Sequence, residues 1–293
     1  MQAPTINRRV LMSSADYFST SQAINPYYGA EAPDINRAKA EHTAIKKLFE
    51  QAGIVVETTS PPTNSQDGVY TANWALVRGK KAVLARLPEV RKAEEAVAEQ
   101  ALMERGFEVV HVPNGWHFSG QGDALPFGGL LFCGQGYRSD EPAQAFAAET
   151  LGYDRIQLQT IPELNELGNP MVNAASGWYD SFFYDIDLAL AVIQPPTETH
   201  GGVIAYCPEA FLPGSRDTLE RLRGFEKIPV SLEEATEGFA CNLVSTGSTV
   251  IMSNRAPKLK AKLEKRGMTV LTPEVNELIK GGGFIRCVSL TLE

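Results

Sequence analysis

The sequence predicts an α/β chain built from repeated helix-and-strand units. Three observations carry that. Five amphipathic helical segments occur along the 293 residues, and each is followed by a short apolar strand. Each helix ends at a glycine, the residue that accepts a left-handed stop without a Cβ clash. The units recur at a spacing of roughly 40–60 residues, which is the mark of a repeat architecture. A doubly wound sheet is the competing α/β fold, but no strand is followed by a Gly-x-Gly-x-x-Gly turn.

The first helix is expected over 36–52, with Ala38, His42, Ile45, Leu48 and Phe49 near one face and Gly53 behind it. The second spans 89–105 and carries Val90, Ala93, Val97 and Ala101, ending at Gly106. The third, 141–151, is an Ala-rich run ending at Gly152, and the fourth, 215–223, presents Leu219 and Leu222 before Gly224. The fifth, 256–266, has Pro257 in its first turn, Leu259 and Leu263 on its face, and Gly267 at its end. The strands that follow begin at Ile54, Phe107, Arg155, Phe225 and Met268. Further short strands are expected at 69–77 and 81–86, 128–133, 188–193 and 202–206, and 242–246 and 249–252. Gly79-Lys80 and Gly247-Ser248 have the composition of tight turns between paired strands.

Composition narrows the function. Hydrophobic residues make up 43% and charged residues 21%, enough apolar surface for a sizeable core. The net charge is -8, with no basic block, which argues against nucleic acid or an anionic membrane as partner. No apolar run reaches the roughly 18 residues of a membrane helix. The first ten residues lack the apolar core of a signal peptide. Four widely spaced cysteines, with no Cys-x-x-Cys pair, read as reduced thiols in a cytoplasm, and no histidine pair has ligand spacing. The expectation is a cytoplasmic protein of one domain over 1–293, with no metal and no cofactor. A homodimer would be unsurprising.

Several residues stand out chemically. Cys287 follows Gly281-Gly-Gly-Phe-Ile-Arg, a loop whose backbone can approach a ligand closely, and Arg286 favours its thiolate. Its bland alternative is an inward residue of a last strand. Asp67 and Asn73, six apart on an expected strand, share a face and offer oxygens to a cationic group such as a guanidinium. Asp185 and Asp187, two apart, do the same and need a cation or a shared proton. Asp123 sits in a Gly-rich turn. Arg86 and Arg138 each follow an apolar strand and can fork onto a carboxylate. His117 lies two residues before Ser119 in a candidate pocket loop.

Taken in order, these segments resemble the guanidino-group modifying superfamily, which includes dimethylarginine dimethylaminohydrolase, arginine deiminase, arginine dihydrolase and the amidinotransferases. The matching stretches are Asp67-Gly-Val-Tyr-Thr-Ala-Asn73, Arg86-Leu-Pro-Glu-Val-Arg91, Ser119-Gly-Gln-Gly-Asp123, Gly136-Tyr-Arg-Ser139, Asp185-Ile-Asp187, Ala240-Cys-Asn-Leu and Gly281-Gly-Gly-Phe-Ile-Arg-Cys287. They cover nearly the whole chain. The resemblance implies a five-module pseudosymmetric α/β propeller, the pentein type. It also implies a Cys thiolate that attacks a guanidinium carbon, expels an amine and is then hydrolysed or relieved by an acceptor amine. On that pattern Cys287 is the nucleophile, Asn73 and Asp187 accept the guanidinium, and Asp67 contacts the substrate amino group. Asp123 belongs to the same substrate site, and Arg86 and Arg138 hold the substrate carboxylate.

Two positions depart from the family. Its proton-shuttling His is Asp185 here, and the Glu that orients that His is Ser119. A carboxylate has a reference pKa near 3.9 against about 6.5 for imidazole, so Asp185 works as a proton carrier only if burial raises it. Three readings follow. The chain is an active enzyme in which Asp185, His117 or the substrate's own amine moves the proton. Alternatively it is a sensor or regulatory subunit that binds a guanidino amino acid without turnover. Or Asp185 and Asp187 together hold a different cationic substrate.

Overall fold

The computed structural model describes residues 5–29 and 31–293. Among the described residues, fifteen short strands form five separate three-stranded sheets. Four are built alike from consecutive chain. A first strand turns back antiparallel into a second, a helix crosses over, and a third strand lies parallel to the second. The modules are β3 (Ala75–Arg78), β4 (Lys81–Leu84), α2 (Ala93–Glu104) and β5 (Glu108–His111); then β6 (Ala124–Phe127), β7 (Leu130–Gly134), α3 (Glu141–Leu151) and β8 (Asp154–Leu158). They continue with β9 (Leu190–Gln194), β10 (Val203–Tyr206), α4 (Pro213–Arg221) and β11 (Glu226–Pro229). After the short α5 (Leu232–Thr236) come β12 (Val244–Ser245), β13 (Thr249–Ile251), α6 (Pro257–Glu264) and β14 (Thr269–Leu271).

The fifth module joins the two ends of the chain. β1 (Arg9–Met12), α1 (Ile35–Gln51) and β2 (Val55–Thr58) supply its last three parts. Its first strand is β15 (Leu290–Thr291), which pairs antiparallel with β1 through Val10 opposite Thr291 and Leu11 opposite Leu290. The result is the five-module α/β propeller.

Burial grades across each sheet. The first strands are almost wholly buried, whereas the third strands are largely exposed or half-buried. That is why the first strands read as continuous apolar runs rather than alternations. The helices pack one stripe inward: Ala38, Ile45 and Phe49 on α1, Leu259 and Leu263 on α6. All five glycines expected to stop helices have left-handed φ, from 69° at Gly152 to 93° at Gly224. Asp34 starts α1 by accepting from the backbone N–H groups of Asn36 (2.9 Å) and Arg37 (3.1 Å), the side-chain cap that a helix start requires. Gly79-Lys80 is a two-residue hairpin turn, with Arg78 opposite Lys81.

Three expectations change. Residues 69–77 are not one strand: the chain turns at Asp67–Tyr70 and forms a 3-10 helix at Thr71–Trp74 before β3 begins. The same happens before β9, where Ile186–Leu188 is a 3-10 helix. The helix expected over 89–105 divides into a 3-10 turn at Glu89–Arg91 and α2. In each case local hydrogen bonding of a buried turn overrides the period that apolar spacing suggests.

Candidate active site

Each first strand is entered through a tight turn, and these five turns converge. Asn73 lies in the 3-10 helix before β3. Ser119 and Asp123 flank the 3-10 helix Gly120–Gly122 before β6, while Asp185 precedes the one before β9 and Asp187 lies within it. Asn242 precedes β12, and Cys287 precedes β15. Asp67–Asn73 and Asp185–Asp187 therefore meet through turns, not through the pleat of a strand. The turns touch directly. Asn73 Nδ2 donates to Asp185 Oδ2 (2.7 Å) and Ser119 Oγ (2.8 Å), and the Ala72 N–H donates to the Cys287 carbonyl (3.0 Å). Gly122 allows this approach: a Cβ there would sit 2.3 Å from Asn73 Nδ2 and 2.7 Å from Asp185 Oδ2.

Cys287 is buried between a donor and an acceptor. Asn242 Nδ2 donates to its Sγ at 3.1 Å, and the thiol faces Asp187 Oδ2 at 3.6 Å. Burial, followed by the Asp187 carboxylate, holds the thiol well above its ordinary range, so the resting sulfur is protonated. Asp123, Asp185 and Asp187 are all buried, and each has one carboxyl oxygen without a hydrogen-bond partner. Burial raises Asp185, against the pull of Arg138. It raises Asp123 and Asp187 well above the carboxylate range, and the neighbouring Asp185 charge adds to both. Three buried carboxyls this close do not all ionise, so the cluster holds protons at neutral pH.

A nearly filled cavity of about 10 Å³ sits over this cluster, lined among others by Asp67, Asn73, Ser119, Arg138, Asp185 and Cys287. Asp67 is pushed up to about 6 by burial, which Arg91 opposes. Its Oδ1 accepts from the Tyr28 hydroxyl at 2.6 Å, and Arg138 donates to the Ile24 carbonyl. The N-terminal segment around Ile24–Tyr28 thus occupies a cation acceptor and an anion donor of the cavity. Asn25 Nδ2 ties the same segment to the Gly281 carbonyl (3.1 Å), and the Gly281–Gly283 loop lies against Tyr70, where a Cβ would strike the ring.

Two expected residues lie elsewhere. Arg86 donates to the Val112 carbonyl (2.9 Å) in a β-bridge with Phe118 and does not line the cavity. His117 lies in a separate cleft with Trp178, held by Asp140 at 3.2 Å. Asn73 is present, but its amide oxygen already accepts from Arg91 NH1 (2.9 Å), so it offers the cavity a donor. Asp123 and Asp187 lie beside the cavity rather than on its wall, and the Ile186 N–H donates to Asp123 Oδ1 (3.1 Å).

Sequence reasoning missed Arg91 and Asn242 as site residues. Arg91 is buried and paired with Glu94 through Nε (2.9 Å) and NH2 (2.7 Å), and it fixes the Asn73 amide. It stands at the end of the Arg86–Arg91 stretch, and of the two guanidiniums in that stretch it is Arg91 that lines the cavity. Asn242 had only its place in Ala240-Cys-Asn-Leu to mark it. Among the described residues, no group of three or more His, Cys, Asp or Glu is arranged to hold a metal ion, and no helix is long and apolar enough to cross a membrane.

No family model matches the chain. Over 290 residues it is 30% identical to N(G),N(G)-dimethylarginine dimethylaminohydrolase of Mycobacterium tuberculosis, covering 97% of this chain and 86% of that protein. It is 28% identical to the bifunctional arginine dihydrolase/ornithine cyclodeaminase ArgZ of Synechocystis, of whose length it spans 37%. The crystal structure of the ArgZ N-terminal domain, a Cys-to-Ser variant bound to substrate, superposes with a TM-score of 0.84 over 97% of both chains at 28% identity.

Proposed function

We propose that this chain, which belongs to the guanidino-group modifying family of dimethylarginine dimethylaminohydrolase and arginine dihydrolase, is a hydrolase of a guanidino or ureido amino acid. The observation that carries this reading is the setting of Cys287: a thiol between an amide donor and a carboxyl acceptor, on the wall of a cavity that it shares with the Asp67 and Asp185 carboxyls and the Arg138 guanidinium. A substrate cation beside Asp185 brings positive charge next to the sulfur and favours the thiolate that burial otherwise disfavours. The ionised member of the carboxyl cluster takes the thiol proton, and Sγ bonds to the guanidinium carbon as the C–N bond breaks. The carboxyl cluster returns the proton to the departing amine. Water then cleaves the thiouronium intermediate and restores the thiol. Arg138 holds the substrate carboxylate and Asp67 its ammonium, replacing Ile24 and Tyr28 as the N-terminal segment swings away.

Asp185 is the proton carrier in place of the family's imidazole. Desolvation makes this workable, because a carboxyl raised towards neutrality serves as acid and base near pH 7. Ser119 and Asn73 orient it in place of the missing Glu. His117 has no part in the reaction.

The test is a turnover and thermal-shift panel with arginine, methylarginines, agmatine, citrulline, ornithine and guanidino acids, following ammonia, amine and ureido products. Turnover is expected in wild type and lost in Cys287→Ser, and His117→Ala should retain wild-type turnover within about twofold. Equal stabilisation of wild type and Cys287→Ser by ligand, with no product, would overturn the enzyme reading and leave a guanidino-ligand binder. Transfer of the amidino group to an added amine would make the protein an amidinotransferase.

A further inference from the structure

On the far side of Cys287 lies a second cavity, of about 720 Å³. All five modules wall it: Val77 from β3, Leu125 from β6, Val192 from β9, Leu243 beside β12 and Leu292 beside β15. It therefore runs along the propeller axis. Ser119, Asp185 and Cys287 line the small cavity, while their chain neighbours Gln121, Asp187 and Arg286 line the axial one. The partition between the two is one side chain thick.

Charge decides what the axial cavity can hold. Five cations line it, Arg8, Arg9, Arg78, Lys80 and Arg286, against the two carboxyls Asp187 and Glu293. Glu293 is engaged by Arg8 and by Arg9 (3.9 Å), and Arg9 also meets Glu57 (3.0 Å). Burial and the Asp185 charge hold Asp187 well above the carboxylate range, so it is protonated and neutral. Among the described residues, no carboxylate pairs with Arg78, Lys80 or Arg286. Arg78 donates to the Leu151 (2.9 Å) and Gly152 carbonyls and lies over the Tyr153 ring. The cavity is therefore positive on balance.

Arg286 is the most exacting of these cations, because it is only 7% exposed. It donates to the Ser289 carbonyl (2.9 Å), Thr291 Oγ1 (3.2 Å) and Gln121 Oε1 (2.8 Å), all neutral acceptors. Its Nε–H and one N–H of Nη2 are left over from a five-donor fork. A buried guanidinium without a counter-ion carries a desolvation cost that an anion removes. The Asp187 Oδ1, buried with no hydrogen-bond partner, faces the same cavity. The first strands run away from these turns, so Arg78 and Lys80 stand at the opposite end, about 13 Å along β3. Leu125, Leu190, Val192 and Leu243 line the stretch between.

We propose that the axial cavity binds an organic anion with an apolar body, its carboxylate held by Arg286 and the Asp187 carboxyl and its body lying along Leu125, Val192 and Leu243 towards the cationic mouth. The site does not need turnover to be detected. Its consequence rests on the hydrolase reading. An anion on Arg286 offsets the positive charge next to Cys287 and works against the thiolate, so the ligand lowers kcat and leaves KM unchanged.

Octanoate is the probe, with octylammonium and acetate as controls. Titration calorimetry on full-length Cys287→Ser, under saturating arginine to fill the small cavity, should find one octanoate per chain. It should bind about tenfold or more tighter than either control. Val192→Trp fills the apolar stretch and Arg286→Gln removes the fork, and each should weaken octanoate by about tenfold. Lys80→Glu, at an exposed turn, should weaken it by about threefold and flatten its salt dependence. Unchanged melting temperatures identify the variants to use. Octylammonium that binds as tightly, octanoate that arginine displaces, affinity that the variants leave unchanged, or no binding overturns the site. In wild type an unchanged kcat with octanoate bound overturns the link to Cys287. Turnover without octanoate binding defeats this site alone, and variant-sensitive binding in a protein without turnover defeats the hydrolase reading alone.

Discussion

At the residue scale, the departure from the family's His and Glu is chemically coherent. In the proposed hydrolysis the proton is carried by a group whose affinity burial has raised, and Asp123, Asp185 and Asp187 are three such groups. Asp187 also opposes ionisation of Cys287, so the thiol should titrate at lower pH in Asp187→Asn than in wild type when followed by thiolate absorbance. An unchanged midpoint would remove Asp187 from the sulfur's surroundings. Asp67 gives a stability test. Its folded pKa of about 6 lies above the ordinary 3.8, so the folded state binds the extra proton and this group's contribution to stability is lost as pH rises between those values. The loss amounts to about 3 kcal/mol. Asp67→Asn removes that dependence. The stability difference between variant and wild type should shift towards the variant from pH 4 to pH 7, measured by urea unfolding. A constant difference would show that Asp67 is not perturbed.

At the element scale, α1 positions the glycine loop before Cys287 from a distance. Glu41 accepts from the backbone N–H groups of Asn276 (2.8 Å), Glu277 (2.9 Å) and Leu278 (3.1 Å), anchoring the 3-10 helix Leu278–Gly281 that feeds the triple-glycine loop before Cys287. That charge caps a turn whose donors otherwise face a half-buried seam. Glu41→Ala should cost about 1.5–3 kcal/mol, the range for hydrogen bonds to a charged group, and lower turnover more than it raises KM. Glu41→Gln, which keeps one acceptor oxygen, should recover part of both. Equal stability of all three proteins by urea titration would show that the loop does not depend on α1.

At the scale of the whole molecule, the propeller is closed where β15 pairs with β1, through Val10 opposite Thr291 and Leu11 opposite Leu290. Leu290 and Leu11 are fully buried there, packed with Trp74 from the neighbouring module. Closure is therefore shared between the module that joins the termini and the one beside it. Leu290→Ala should destabilise the protein by about 2–5 kcal/mol. It should do so in one transition, with the same midpoint by tryptophan fluorescence and by far-UV circular dichroism. Two separated midpoints would show that the modules melt independently.

The sequence by itself determined the repeat, because helix stops and apolar runs are local signals. Gly53, Gly106, Gly152, Gly224 and Gly267 mark left-handed stops wherever they fall, and the strands after them need no distant partner to be recognised. It also exposed Cys287, Asp67 and the Asp185–Asp187 pair, since chemically costly residues beside apolar runs stand out. It did not show that those residues meet through 3-10 turns instead of strands, because a buried turn and a strand share the same apolar composition. Nor could it distinguish Arg86 from Arg91: they stand in one short stretch, and only packing decides that one reaches the Val112 carbonyl while the other reaches Glu94 and Asn73. The partition between two cavities was likewise decided by tertiary structure alone. It is assembled from turns that lie far apart in the chain, and which side of it Asp187 and Asp185 each face depends on how the five modules close.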